Sequence, residues 1–194
     1  MKDTTKAHIV DVDKISDFTV GQTSTLIECL IKDAPRLGDL SVRSLACMSL
    51  GNEDPVGVYV FGDDSGKILY VGKTHGRSFH ERMISHLDSR EPVSGSPHLA
   101  RLVSTQVKNN PEITRQEAVR KILDMRVLWI PIPTDGRDSS EHKEMIALAE
   151  RRLLWKDSLD PVYNSERVKR NSKIGVAGKK RNLCSDSVFF SLED

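Results

Sequence analysis

Residues 56–72 read VGVYVFGDDSGKILYVG, in which two runs rich in β-branched and aromatic residues enclose a short segment with Asp and Gly. Such runs around a turn are typical of a β-hairpin. With a four-residue loop, Tyr59 lies directly opposite Tyr70, and Gly57 lies opposite Gly72 on the same face. Two phenols beside glycines are suited to the polar floor of a ligand site. The alternative is core packing, since cross-strand aromatic pairs often stabilise sheets.

Helices are predicted before and after this hairpin. Directly after it, apolar residues at helical spacing predict a helix over 77–87 with a core stripe of Phe79, Met83, Ile84 and Leu87. The run 126–132 is apolar and β-branched and predicts a third strand. Ser139 or Ser140 is suited to cap a helix that extends to about residue 157. Further helices are predicted over 24–32, 98–108 and 114–123. The sequence therefore predicts an α+β (mixed α/β) fold with a small sheet flanked by helices.

The composition is typical of a globular protein. Of the 194 residues, 29% are charged and 38% are hydrophobic, which excludes wholesale disorder. We expect no membrane span and no export segment, because no apolar run approaches the roughly 18 residues that a span needs. The 3 cysteines are far apart and form no C-x-x-C motif. A cysteine zinc site and a disulfide framework are therefore excluded, and a cytoplasmic protein is expected.

Charge is distributed unevenly along the chain. Residues 1–54 hold 6 basic and 9 acidic side chains, whereas residues 167–194 hold 7 basic and 3 acidic ones. A basic stretch of this kind can follow the phosphates of a nucleic acid, although a solvated tail is the plainer alternative. We predict that its cations contact DNA: Arg167, Lys169, Arg170, Lys173, Lys179, Lys180 and Arg181.

Basic residues also follow the hairpin. Arg82 and His86 are four residues apart, so they share one face of the predicted helix and together can hold a phosphate. The alternative is an exposed basic helix surface. Lys73 and Arg77 lie between the second strand and this pair and are further candidates for contacts with DNA.

Glu150 is the third candidate feature. Its helical neighbours are apolar, so the carboxylate is predicted on the buried side of its helix, among Ile146, Ala147, Leu153 and Leu154. A buried carboxylate needs a cation or a hydrogen-bond donor, either a metal ion or an internal arginine. The turn over 160–164 returns Asn164 toward the same helix, unless Asn164 only caps that turn.

Taken in order, these pieces resemble the GIY-YIG nuclease family. The resemblance covers residues 57–164 and rests on Gly57-Val58-Tyr59, Leu69-Tyr70-Val71-Gly72-Lys73, Arg82 with His86, Glu150, and Pro161-Val162-Tyr163-Asn164. It implies a three-stranded antiparallel sheet flanked by helices. It also implies hydrolysis of phosphodiester bonds in DNA with one divalent metal, Mg²⁺ or Mn²⁺, in each active site. By the resemblance, Glu150 binds the metal and Asn164 supports the site.

The resemblance also implies roles for the residues around the hairpin. Tyr59 matches the tyrosine that activates water as general base, and Tyr70 matches the tyrosine that positions the water or phosphate. Arg82 matches the arginine that stabilises charge on the phosphate in the transition state. His86 and Lys73 match a histidine and a lysine found in part of the family. A free tyrosine, with a pKa of about 10, is a poor base at neutral pH, so a nearby cation or metal-bound water has to favour its phenolate.

The chain departs from the family pattern in two places. Gly72 and Arg82 are about two residues further apart than usual, which leaves Arg77 as a distant rival for the arginine role. Residues 89–125 resemble an insertion, as in restriction-type members. We therefore divide the chain into an N-terminal extension or helical elaboration (1–54), a nuclease domain with that insertion (55–166) and the basic tail (167–194).

Other functions are compatible with the same pattern. One is a structure-specific repair or recombination nuclease, and another is a non-catalytic DNA-binding module on the same fold. A third is a protein-interaction domain, which has no affinity for DNA at any salt concentration. Cleavage of both DNA strands requires either a homodimer or two successive nicks.

Overall fold

A computed structural model describes residues 20–41, 44–45, 56–88, 101–132 and 138–155. These residues form five helices, one 3₁₀ turn and three strands, which confirms the α+β prediction. In chain order they are α1 (Val20–Asp33), the 3₁₀ turn (Leu37–Asp39), β1 (Gly57–Gly62), β2 (Ile68–Thr74), α2 (Phe79–His86), α3 (Arg101–Asn109), α4 (Arg115–Leu123), β3 (Arg126–Pro131) and α5 (Ser139–Trp155). The antiparallel sheet has the order β2–β1–β3, so β2 is an outer strand.

The sheet has two buried faces with different chemistry. Strand residues alternate between them, as the pleat requires. One, called here the valine face, packs against α1 and α5 and includes Val58, Val60, Val71, Ile27, Ile31, Ile146 and Leu153. The other, called the aromatic face, packs against α2, α3 and α4 and includes Tyr59, Phe61, Tyr70, Trp129, Phe79, Met83, Leu102 and Ile122. The predicted insertion thus contributes two helices to the cover of the aromatic face.

The register of the hairpin differs from the prediction. Tyr59 lies opposite Gly72, not Tyr70, and Gly57 lies opposite Thr74. Both tyrosines still lie on the aromatic face, with ring centroids 6.0 Å apart. A shift of two residues keeps every side chain on its face, which is why the shared face was predicted correctly and the direct pairing was wrong.

The turn explains this shift. The Asp63 N–H donates to the Lys67 carbonyl at 3.0 Å, so the loop holds three residues instead of four. Gly66 has the positive φ, 90°, that such a loop requires at its last position. One Asp63 carboxylate oxygen accepts from the Ser65 and Lys67 N–H groups at 2.9 and 3.0 Å. The pairing then skips Leu69, and this bulge completes the two-residue shift.

Helix α2 begins one residue after its cap, Ser78. The Ser78 hydroxyl accepts from the Glu81 N–H, and the Glu81 carboxylate accepts from the Ser78 N–H, which together form a capping box. The predicted core stripe is partly wrong: Ile84 is 54% exposed, whereas His86 is only 2% exposed. The buried stripe follows positions 79, 83 and 86, so position 84 lies outside it.

Helix α5 is capped by Asp138 instead of the predicted Ser139 or Ser140. The Asp138 carboxylate accepts hydrogen bonds from the Ser140 and Glu141 N–H groups at 2.7 and 2.9 Å. A carboxylate is equally suited to this position, because it accepts from free N–H groups and carries a charge that the helix N-terminus favours. The helix is described as far as Trp155.

The N-terminal helix is fastened to the hairpin loop by ionic contacts. Arg36 and Arg126 both donate to the Asp64 carboxylate, at 2.6 and 2.8 Å. Arg126 also donates to the Ala34 carbonyl at 2.5 Å. These contacts hold the end of α1 beside the β1–β2 loop. Within the described ranges, no helix combines the length and apolar character that a membrane crossing requires.

Candidate active site

A hydrogen-bonded chain of three side chains lies between β1 and α2. The Tyr59 hydroxyl lies 2.7 Å from Nε2 of His86, and it accepts a hydrogen bond from Nε of Arg82 at 3.1 Å. Tyr59 is 0% exposed and His86 is 2% exposed. The structure therefore brings together three of the residues predicted for the site, and we call them the tyrosine cluster.

Gly72 leaves the space that the Tyr59 phenol occupies. A Cβ atom at position 72 would overlap the hydroxyl oxygen and Cζ of Tyr59. Any side chain at this position would displace the phenol from the two residues it bonds. Gly72 is therefore needed for the close approach of strand and ring.

Aromatic rings enclose the same phenol. The centroid of the Tyr59 ring lies 5.8 Å from that of Phe61, 6.0 Å from that of Tyr70 and 6.1 Å from that of Phe79. Aromatic neighbours at such distances fix the orientation of the ring. The packing alternative therefore describes the Tyr59 ring, which is fully buried and in addition carries a hydrogen-bonded hydroxyl.

The environment keeps the Tyr59 phenol neutral. Burial, followed by the nearby Tyr70 hydroxyl, raises the pKa of Tyr59 well above its usual value, and the Arg82 cation offsets this only in part. The Tyr59 hydroxyl therefore remains protonated at neutral pH. To accept a proton from another group, it has to pass its own proton on.

His86 is the hydrogen-bond partner toward which the Tyr59 hydroxyl points. Burial, together with the Arg82 cation, lowers the pKa of His86 to about 3. The imidazole is therefore uncharged at neutral pH, and one of its ring nitrogens is unprotonated and can accept a hydrogen bond. In the tautomer with its proton on Nδ1, that nitrogen is Nε2, which faces the Tyr59 hydroxyl. A donor chain then leads from Arg82 through Tyr59 to His86.

A second group of predicted residues forms an ion pair. The Lys73 ammonium lies 2.7 Å from the Glu150 carboxylate, and the two side chains are 31% and 15% exposed. Glu150 lies on α5 beside the buried Ile146 and Leu153, as its apolar neighbours predict. The expected partner was a metal ion or an internal arginine, and the structure instead supplies a lysine from β2.

The tyrosine cluster and the ion pair lie on opposite faces of the sheet. Gly72 contacts Tyr59 on the aromatic face, and the next residue, Lys73, points to the valine face that α5 covers. Consecutive Cα atoms are only about 3.8 Å apart. β2 is an outer strand of the sheet. The tyrosine cluster and the ion pair therefore lie on opposite faces of the same sheet edge, near Gly72 and Lys73.

The remaining predicted site residues are placed as follows. Tyr70 is buried on the aromatic face and supplies a ring neighbour to Tyr59. Arg77 is exposed in the segment between β2 and α2. Asn164 lies outside the described residues, and so do the seven cations predicted to contact DNA in the basic tail.

Glu150 fits a metal ion that takes few protein ligands. Among the described residues there is no group of three or more His, Cys, Asp or Glu side chains that could hold a metal. Mg²⁺ often binds through one or two carboxylates and keeps several waters, so a single partly exposed carboxylate is compatible with it. A cage built entirely from protein ligands is not available in this part of the chain.

Two features of the site had weak signals in the sequence. The burial of His86 could have been found by extending the stripe from Phe79 and Met83 to the next turn of the helix. The contact between Gly72 and the Tyr59 ring depends on the register of the hairpin, and no local sequence pattern predicts it.

Comparisons of the chain with protein-family models, with curated proteins and with solved structures found no significant match.

Proposed function

We propose that this protein is a metal-dependent DNA endonuclease of the GIY-YIG type. The observation that carries the proposal is the hydrogen-bonded chain from Arg82 through Tyr59 to His86. It combines a cation, a phenol and an uncharged imidazole within hydrogen-bond distance of one another. Phosphodiester hydrolysis needs a path for the proton of the attacking water and a cation for the charge that develops on phosphate.

The proton path runs through Tyr59. As water attacks phosphorus, its proton passes to the Tyr59 oxygen, while the Tyr59 proton passes to Nε2 of His86. This transfer depends on the bound phosphate, whose negative charge beside Arg82 opposes the effect of the Arg82 cation on the pKa of His86. The phenol is thus never a free phenolate, a state that its raised pKa disfavours. This assignment keeps the general-base role of Tyr59 and gives His86 the final proton.

Arg82 serves as the clamp for phosphate. Its Nε–H is bonded to Tyr59, and a guanidinium has four further N–H donors in a planar fork. Such a fork suits two phosphate oxygens at once. The bond to Tyr59 therefore fixes the clamp beside the group that handles the proton.

Glu150 is proposed to hold one divalent ion, Mg²⁺ or Mn²⁺. A bound divalent ion supplies a Lewis acid that neutralises charge on the phosphate and the leaving oxygen. Asn164 is proposed to support Glu150 from the segment after α5. We place the phosphodiester along the outer edge of β2, between the tyrosine cluster on one face and Glu150 on the other.

DNA is the proposed partner. Lys73 and Arg77 are proposed to contact its backbone near the site, and the tail cations between positions 167 and 181 are proposed to follow it further. A cytoplasmic location suits this function. A homodimer, in which each subunit cuts one strand, is proposed for double-strand cleavage.

Cleavage assays with Mg²⁺ test the activity. We expect wild-type protein to nick or linearise supercoiled plasmid, and folded Arg82→Ala to lose at least about 2 orders of magnitude in rate, as the loss of an oxyanion stabiliser does. Arg120→Ala, which removes an exposed arginine from α4, is the control and should retain most activity. A folded Arg82→Ala protein with wild-type rates would contradict the proposal. Activity on branched or flapped DNA alone would indicate a structure-specific nuclease.

A non-catalytic DNA-binding module is the second candidate. It is favoured by the complete burial of Tyr59 and by the neutralisation of Glu150 by Lys73, since both leave the site closed. This alternative predicts salt-sensitive DNA binding with no cleavage of any substrate. It also predicts the same DNA affinity for wild-type protein and Glu150→Gln.

A further inference from the structure

We propose that the Lys73 ammonium occupies the cation position at Glu150, and that a divalent ion binds there only by displacing it. This inference rests on the proposed function, because it concerns the carboxylate assigned to the metal. The Lys73 ammonium then competes with the metal for Glu150 and lowers the affinity of the protein for metal.

The geometry shows one cation, the Lys73 ammonium, at the carboxylate to which the divalent ion is assigned. The Lys73 nitrogen is 2.7 Å from Oε2 of Glu150. A Mg²⁺ ion bound to that carboxylate would lie about 2.1 Å from an oxygen. Both cations would then be within a few ångströms of each other at a site that is only partly open to water. Like charges at such a distance repel strongly where solvent screening is weak.

The charge balance leads to the same conclusion. Lys73 and Glu150 together carry no net charge, so an approaching cation gains little from the intact pair. Glu150 offers a full negative charge only after the ammonium has moved away. A lysine side chain can make this move because its ammonium ends a flexible four-carbon stem, and that of Lys73 is already 31% exposed.

Calorimetric titration of the DNA-free protein tests the competition. Mg²⁺ and Ca²⁺ are titrated into wild type, Lys73→Met and Lys67→Met. Methionine keeps an unbranched chain without the charge, and Lys67 is an exposed lysine on the same hairpin. We expect Lys73→Met to bind metal at least about tenfold more tightly than wild type, and Lys67→Met to stay within about twofold. Glu150→Gln should abolish binding.

The outcomes separate the inference from the proposed function. Equal or weaker metal binding by folded Lys73→Met, with binding still lost in Glu150→Gln, would overturn the competition and leave the metal site intact. If neither wild type nor Lys73→Met bound metal, the competition would fall, whereas the metal-dependent activity would still be decided by the plasmid assay, in which DNA phosphates complete the site.

A second measurement needs no variant. The wild-type protein is pulse-labelled with an amine-acetylating reagent, and the modification of each lysine is read by mass spectrometry. Addition of Ca²⁺ should raise the labelling of Lys73 several-fold, because displacement releases its amine, and should leave Lys67 unchanged. Unchanged labelling of Lys73 at saturating Ca²⁺ would overturn the inference even if Lys73→Met failed to fold.

Discussion

Among single residues, Gly72 matters to the tyrosine cluster because it leaves room for the Tyr59 phenol. Gly72→Ala places a methyl group where the Tyr59 phenol lies. We expect a loss of about 1–3 kcal/mol in the free energy of unfolding, as overpacking of a core typically causes, and a larger relative loss of nuclease activity. Urea denaturation and plasmid nicking measure the two effects. Wild-type stability and activity in Gly72→Ala would show that the phenol has room to move.

The contribution of His86 to the free energy of unfolding should depend on pH. Its pKa is about 3 in the folded protein and 6.5 as its ordinary value. Between these values the unfolded chain binds the extra proton, so the His86 contribution is complete above pH 6.5 and is lost as pH falls toward 3. The stability advantage of wild type over His86→Gln should therefore shrink by about 2 kcal/mol between pH 7 and pH 5. Denaturant titrations measure it, with the more exposed His80→Gln as control. A constant difference would show that His86 is not buried as an uncharged imidazole.

At the scale of elements, α2 carries both Arg82 and His86, so its N-terminus matters for the site. The described residues include two capping boxes of the same type, Ser78 with Glu81 before α2 and Thr114 with Glu117 before α4. Loss of such a cap costs about 1 kcal/mol.

This pair provides a matched test. We expect Ser78→Ala and Thr114→Ala to lower the free energy of unfolding by similar amounts, about 1 kcal/mol each. Only Ser78→Ala should also lower the nicking rate, because it loosens the helix that bears the clamp. Equal rates in the two variants would contradict the dependence of the site on the start of α2.

The elements also show where sequence patterns stop being informative. Local periodicity predicted β1, β2, β3 and α2, because each depends on its own alternation or helical spacing. The hairpin register was wrong because Asp63 closes a shorter loop and Leu69 is bulged, two effects of side-chain and turn geometry that alternation does not encode. Ile84 belongs to the apolar stripe predicted from helical spacing, but the helix turns its side chain outward.

At the scale of the whole molecule, the sheet divides the candidate site between its two faces. The sequence predicted Tyr59, Arg82 and Glu150 as separate signals, and their individual burial or pairing needs were readable from their neighbours. The pairing of Lys73 with Glu150 was not, because it joins a strand and a helix that are far apart in the sequence. The order of the motifs supports one function, whereas the position of each group relative to β2 comes only from the fold.

The Tyr59 hydroxyl is proposed to conduct the proton in DNA cleavage. Tyr59→Phe removes only this hydroxyl and keeps the ring that packs against Phe61 and Phe79. The decisive measurement is the single-turnover nicking rate of supercoiled plasmid with Mg²⁺, for wild type and for Tyr59→Phe of verified fold. We expect a loss of at least about 2 orders of magnitude in the variant, as for a missing general base. A folded Tyr59→Phe protein that cuts DNA at the wild-type rate would contradict it.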